Sequence, residues 1–319
     1  MDLSEDELIA AIRRVLSGAG PEVIVGPGDD AAVLAAPSGQ LVLTADALIE
    51  GVHFDLGFTS PRDLGYKAVV VNVSDIAAMG ASPRAALVTL ALPRQLEAAW
   101  VMELYGGMRE AADEHALWIV GGDLTRADQV AISVTVAGDV APGRAVTRSG
   151  ARPGDVVAVT GALGASAGGL RVMAGGRVRT DEDRALLRAH QRPGARVGEG
   201  AVLARHGATA MMDVSDGLAK DLTRLAAASG IRARLRIADV PVADGATEAE
   251  ALGGGEDYEL LVTLPGPSAL AAAAAELRDA YGVGLTSIGD VEAGDGVVAL
   301  GEDGVERPLD PTGWDHFRS

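Results

Sequence analysis

Thr209-Ala210-Met211-Met212-Asp213-Val214-Ser215-Asp216-Gly217-Leu218 is the stretch on which the fold reading turns. Its first four residues suit a strand that delivers Asp213, and Asp216-Gly217 then opens an apolar-periodic helix from Leu218 to Ala228. A further strand is expected at Ala233–Ile237. Strand, acidic turn, helix and strand in sequence describe an α/β unit.

Working outward, the same half contains expected strands at Val156–Thr160, Tyr258–Leu264 and Leu285–Ile288, and an Ala-rich helix at Ser268–Tyr281. Gly161 to Gly169 forms a Gly-rich strand-to-helix turn of the kind that cradles phosphate with backbone N–H groups. It lacks the Gly-Lys-Ser/Thr ending of a P-loop, and close helix packing explains its glycines equally well. The Arg-rich stretch 171–192 reads as a solvated helix or loop.

The first half opens with a capping-box spacing, Ser4 to Glu7, ahead of a helix carrying Leu8, Ile9, Ile12, Val15 and Leu16. Ala32–Leu34 and Leu41–Thr44 read as two strands joined by Pro37-Ser38-Gly39, with Asp46 just beyond the second. A helix from about Pro61 runs into Ala68–Val71, after which Asp75 opens the small-residue segment Ile76–Pro83. Strands are expected at Ala85–Leu92, Trp118–Val120 and Val130–Ala137, and a long helix between Pro93 and Leu117 ends or breaks near Gly106-Gly107. Val73-Ser74-Asp75 echoes Val214-Ser215-Asp216, which raises duplication of an α/β unit as a possibility. Residues 141–154, rich in Pro, Gly and Arg, read as a linker. The expected fold is therefore α/β (α+β) in two domains, 1–140 and 141–319.

Six acidic corners punctuate this plan: Gly28-Asp29-Asp30, Thr44-Ala45-Asp46, Ser74-Asp75, Gly122-Asp123, Asp213 to Asp216, and Glu256-Asp257. Any one of them is equally a turn or a helix cap. Together, with no Cys and no His-x-x-x-His spacing, they form the hard-oxygen donor set that Mg²⁺ takes, often shared with substrate phosphates. Mg²⁺ held this way bridges carboxylates to a polyphosphate, so nucleotide-dependent phosphoryl transfer is the expected chemistry. Arg148 and Lys67 are candidate cations for the phosphates, with a salt bridge as the alternative for each.

Composition narrows the classes. The 27 Lys and Arg against 45 Asp and Glu leave a net charge of −18, which repels nucleic acid and anionic membranes. Aromatic residues make up only 3%, too few for the aromatic-lined cleft of a glycosidase, while 48% hydrophobic content is ample for a core packed from small aliphatics. The absence of Cys removes disulfides and thiolate chemistry. With no signal-like or membrane-spanning segment, a cytoplasmic protein is expected.

At this point the residues resemble the thiamine-monophosphate kinase family of the aminoimidazole-ribonucleotide-synthetase-like superfamily. The likeness runs nearly end to end, through Gly28–Ala32, Asp46, Gly51–Phe54, Tyr66–Ala81, Gly121–Asp123, Thr147–Gly150, Asp213–Gly217, Gly254–Leu260 and Trp314–Phe317. It implies ATP-dependent phosphorylation of thiamine monophosphate by a homodimer. The N-terminal domains would pair through their sheets, and the C-terminal domain would close the site. Carried over residue by residue, Asp30, Thr44, Asp46, Asp75, Asp123, Asp213 and Asp216 are the implied magnesium ligands. Ala45 joins them through its carbonyl, since it stands where the family often has a hydroxyl residue. Tyr105, Gly122, Asp123, Arg148 and Ser215 are implied on the ATP side, and His53, Glu256 and Trp314 on the thiamine phosphate side. Asp30, Asp75, Asp123, Asp213 and Arg148 are the residues on which catalysis is expected to depend, by positioning and charge neutralisation in which carboxylates from both halves share a cluster of ions. Two alternatives stay open: a synthetase of the same superfamily that activates an amide or carboxylate oxygen, and a cation- or nucleotide-binding module without turnover.

Overall fold

A computed structural model of the chain describes residues 3–16, 18, 20–28, 31–301 and 304–314. It divides into two compact units, Met1–Ile76 with Ala81–Gly143, and Ala77–Gly80 with Arg144–Ser319.

In the first unit, helix α1 (Glu5–Val15) starts at the expected capping box, in which Ser4 Oγ accepts the Glu7 N–H and the Glu7 carboxylate accepts the Ser4 N–H. The two strands expected on either side of Pro37-Ser38-Gly39 form but do not pair with each other. Strand β1 (Val23–Val25) pairs with β2 (Val33–Leu34), whereas β3 (Gln40–Ile49) joins another sheet. Pro37-Ser38-Gly39 marks a connection, but turn residues do not dictate which partner each strand takes. β3 also runs on past Thr44, so Asp46 sits inside a strand.

Helix α2 (Pro61–Ala78) is continuous to Ala78, which puts Asp75 in its last turn; no helix begins there. Leu64, Val69, Val70, Val73 and Ile76 are all buried. A helix enclosed on every side has no polar stripe, so its sequence carries little amphipathic period. Strand β4 (Ser82–Leu92), helix α3 (Ala98–Glu114), strand β5 (Trp118–Arg126) and strand β6 (Ala131–Val140) complete this unit. α3 passes through Gly106-Gly107 unbroken because the glycines serve a helix crossing. A Cβ at Gly107 would lie 1.7 Å from the Arg62 carbonyl oxygen, and one at Gly65 1.9 Å from that of Leu104. The described strands β3 to β6 form a sheet in the order β3-β6-β4-β5, with β4 and β5 parallel and the other pairs antiparallel.

The second unit begins with β7 (Val156–Thr160), α4 (Ala165–Ala174), α5 (Asp181–Gln191), α6 (Val197–Arg205), β8 (Ala210–Asp213), α7 (Leu218–Ser229) and β9 (Arg232–Arg236). It continues with α8 (Glu248–Gly253), β10 (Leu260–Leu264), α9 (Pro267–Tyr281), β11 (Leu285–Glu292), β12 (Gly296–Leu300) and β13 (Glu306–Pro308). The sheet order is β13-β12-β9-β11-β7-β10-β8, and every described pair except β9–β12 is antiparallel. Both faces are covered. Val159, Met212 and Leu261 share a core with Leu218, Leu222 and Leu225 of α7. Ala158, Met211 and Val262 share another with Val202 and Leu203 of α6 and Ala273 and Leu277 of α9. Alternate residues of one strand thus enter opposite cores, and this is why these strands read as continuous apolar runs.

The α/β (α+β) class expected from the sequence holds. The Arg-rich stretch turns out to contain α5, which is capped by Thr180 and Asp183 and buries Leu186 and His190. Among the described residues, no helix is long and apolar enough to cross a membrane.

Candidate functional site

In the first unit the expected ligands gather on the edge strand β3. Cross-strand register puts Val42, Thr44, Asp46 and Leu48 on the face shared with Val134, Val136 and Val88, the buried side of the sheet. There Thr44 Oγ1 donates to Asp75 Oδ2 at 2.6 Å. Asn72, one helical turn before Asp75, accepts the Asp46 N–H at 2.9 Å and donates to the Ala68 carbonyl at 3.0 Å. The outward N–H of an edge strand, ordinarily left to solvent, is thereby satisfied by α2. Strand alternation turns the N–H and carbonyl of Ala45 the other way, toward β6. Just beyond β3, His53 Nδ1 accepts the Ile49 N–H at 3.1 Å, so the neutral imidazole carries its proton on Nε2.

Asp123 is not brought to this group within the chain. Its register partners run Asp123–Thr89–Ser133–Ala47, the opposite face from Asp46, and two strands intervene. At ordinary strand spacing that is about 14 Å across the sheet. Gly122 has a packing reason of its own, since a Cβ there would lie 1.9 Å from the Val88 carbonyl oxygen. Tyr105 is buried in α3, and burial pushes its phenol well above the ordinary value. Lys67 is buried in α2. Asp30 lies outside the described residues, as do Asp315, His316 and Phe317. Among the described residues, no group of three or more His, Asp or Glu side chains is placed to hold one ion.

In the second unit, two turns are sewn together by backbone. Val214 N–H bonds to the Glu259 carbonyl at 2.8 Å, Tyr258 N–H to Val214 at 3.0 Å, and Glu256 N–H to Ser215 at 2.8 Å. Glu256 and Tyr258 hold left-handed φ angles of +66° and +53°, a conformation that costs free energy in non-glycine residues. Asp213 is buried at the end of β8. Asp216 meets Lys220 Nζ at 3.2 Å and Arg224 Nη2 at 2.6 Å, and its carbonyl accepts the Trp314 N–H at 3.0 Å. Lys220 Nζ in turn donates to the Trp314 carbonyl, and Trp314 is 48% exposed. Arg148 is exposed. Its loop is tied to α7 through Ser229, whose hydroxyl donates to the Arg148 carbonyl at 3.1 Å, and its guanidinium has no ion pair among the described residues.

The Gly-rich turn at 161–169 is filled from within the chain. Asp257 accepts the Gly164 N–H at 2.7 Å and the Ser166 N–H at 3.1 Å, so of the two readings of this turn the phosphate one is not met: these amides serve a carboxylate. Burial pushes this carboxyl up to about 7, against those two N–H bonds. Glu259 is buried beside it, accepting from Thr160 Oγ1 at 2.6 Å and from Nε and Nη2 of Arg196.

Sequence reasoning missed two buried residues here. His190 Nδ1 lies 3.0 Å from Ser166 Oγ and 3.5 Å from Glu256 Oε2. Both contacts fall on one ring nitrogen, so the trio is not a Ser–His–acid relay. Asp221 collects three backbone N–H bonds from Ser215, Asp216 and Gly217. Burial pushes its carboxyl up, while those bonds and Arg224 pull it down. An aspartate five residues after Asp216 was the one available signal.

Comparison with known proteins places this geometry. Residues 28–140 match the family model of the AIR synthase related protein N-terminal domain, and residues 152–302 match that of the C-terminal domain. Thiamine-monophosphate kinase of Bacillus subtilis is 37% identical, covering 93% of this chain and 94% of its own. The crystal structure of thiamine-monophosphate kinase from Stenotrophomonas maltophilia superposes with a TM-score of 0.83 at 37% identity, over 95% of this chain and 98% of that one. AaThiL complexed with AMPPCP and TMP superposes at 0.78 with 36% identity, over 99% of each chain. With family models on both units and relatives of this identity over nearly the whole length, the chain belongs to the thiamine-monophosphate kinase family of AIR synthase related proteins.

Proposed function

We propose that the chain transfers the γ-phosphoryl group of ATP to thiamine monophosphate, releasing thiamine diphosphate and ADP, with Mg²⁺ required. The observation that carries the metal part of this reading is the 2.6 Å approach of Thr44 Oγ1 to Asp75 Oδ2 beside Asp46. Oxygen donors from a strand and a helix meet there with no nitrogen or sulfur ligand, a set that fits Mg²⁺ and not zinc. In the first unit Thr44, Asp46 and Asp75 are the residues that would hold it; Asp213 and Asp216 are candidate ligands within the second unit. When bound, Mg²⁺ neutralises the phosphate charge.

The remaining chemistry falls to the chain's own groups. A phosphate monoester has a second pKa of about 6, so the acceptor oxygen of thiamine monophosphate is already ionised and needs no strong base. It attacks the γ-phosphorus in line, and the bond from γ-phosphorus to the bridging oxygen breaks with its electron pair leaving on ADP. Arg148, whose guanidinium has no ion pair among the described residues, answers charge on the phosphates, with Ser215 on the ATP side; Tyr105, buried in α3, Gly122, packed on Val88, and Asp123, on the opposite sheet face from Asp46, have no part in it within one chain. His53, through its Nε2 proton, and Glu256 orient the thiamine phosphate, and the exposed Trp314 indole offers a π face to its cationic ring.

A cytoplasmic homodimer belongs to the same proposal. The open face of the first unit's sheet exposes Leu41 (57%), Leu43 (62%) and Leu87 (46%), a row of large apolar residues that a second copy would cover. Asp123 lies on that face too. The test is ADP release with thiamine monophosphate against formylglycinamidine ribonucleotide. Release with the first alone supports the kinase, and release with the second alone supports the synthetase.

A further inference from the structure

Helix α7 carries a buried carboxylate to which the proposed reaction gives no part. Asp221 is inaccessible to solvent, and its Oδ2 accepts the N–H groups of Ser215, Asp216 and Gly217 at 3.1, 3.0 and 3.2 Å. Its Oδ1 meets Arg224 Nη1 at 2.9 Å. Amides at the start of a helix have no partner within it, and in phosphate-binding turns they take up the anion. Here the chain's own side chain takes them. The turn is gripped from its other side as well: Glu256 N–H bonds to the Ser215 carbonyl, and a Cβ on Gly255 would lie 2.4 Å from that oxygen. Gly217, at φ +117°, would drive a Cβ to 2.9 Å from the Gly253 carbonyl.

We infer that Asp221 is a positioning residue for the Ser215–Gly217 turn: it fixes Ser215 and Asp216 in place and withdraws the amides before α7 from the nucleotide. A nucleotide then meets this turn only through the Ser215 hydroxyl, the Asp216 carboxylate and whatever ion they hold. The same device recurs at α4, where Asp257 fills the Gly164 and Ser166 amides, so these two glycine-led helix entries are closed to phosphate. The inference rests on the proposal that Ser215 and Asp216 face the metal–nucleotide complex.

The test is Asp221→Asn, which keeps the shape but removes the charge on which three N–H groups and Arg224 converge. Calorimetric titrations of wild type and variant use AMPPCP with Mg²⁺ and, separately, thiamine monophosphate. The expected result is a Kd for Mg²⁺–AMPPCP raised about tenfold or more with that for thiamine monophosphate changed less than about twofold, a split that general loosening of the fold does not produce. Unchanged Mg²⁺–AMPPCP affinity in a folded variant overturns the inference. If the variant does not fold, the wild type decides. The Ser215, Asp216 and Gly217 amide protons should be slow to exchange in the free protein and should keep their resonances when Mg²⁺–AMPPCP is added. Fast exchange in the free protein, or downfield shifts of all three on addition, overturns it. Wild type that binds Mg²⁺–AMPPCP yet forms no thiamine diphosphate counts against the proposed function and not against Asp221.

Discussion

Replacing Asp257 with Asn should change how stability depends on pH, with a sign fixed by the burial of that carboxyl. Its pKa is raised from 3.8 to about 7, so between those values the folded chain holds a proton that the unfolded chain has released. Stability at this site is therefore greatest in acid and is lost as pH rises through the folded value. At ~1.36 kcal/mol per pKa unit, the wild type should lose roughly 2–3 kcal/mol at this site from about pH 5 to about pH 8. Asn cannot titrate. It also sets an NH₂ group against one of the Gly164 and Ser166 N–H donors, a pH-independent penalty of roughly 1–3 kcal/mol. Urea unfolding of both chains across this range gives the difference directly. Glu259, Glu256 and His190 are common to both chains and largely cancel. The stability advantage of wild type over variant should shrink as pH rises. A constant or widening advantage would show a carboxylate ionised throughout, and the burial argument would fail.

Three further outcomes follow from the geometry. Asp75→Asn should lower turnover at least about 100-fold while the thermal transition stays in place, because the lost charge is the one that holds the phosphate-neutralising Mg²⁺ and is not needed for folding; near-normal activity would remove Asp75 from the metal site. Gly107→Ala should cost at least about 2 kcal/mol in urea unfolding despite the better helix propensity of Ala, since its Cβ would fall 1.7 Å from the Arg62 carbonyl oxygen; a neutral or stabilising result would mean that α2 and α3 are not so closely packed. Rapid quench with γ-labelled ATP should show no labelled protein on the reaction timescale, and label trapped at a competent rate would refute direct transfer.

Local signals were legible where local physics decided the outcome. The capping box of α1, the apolar runs of β7, β8 and β10, and the Asp216-Gly217 entry to α7 could all be read from neighbouring residues. The misreadings share a cause in distant partners. Gly106-Gly107 looked like a helix break until Arg62, more than forty residues earlier, supplied the backbone it must accommodate. Asp46 looked like a corner because acids are uncommon in strands, but the edge position of β3 and the amide of Asn72 make it tolerable there. The glycines at 161–169 looked open to phosphate, and only the fold brings Asp257 into them. Val73-Ser74-Asp75 and Val214-Ser215-Asp216 looked like copies, yet one ends a helix and the other begins one.

The most direct test of the account is mass spectrometry of the product after incubating the chain with ATP and thiamine monophosphate at graded Mg²⁺. Thiamine diphosphate and ADP should appear in equal amounts, and only when the divalent ion is present. No thiamine diphosphate at any Mg²⁺ concentration, or its formation at full rate in the presence of a chelator, would contradict it.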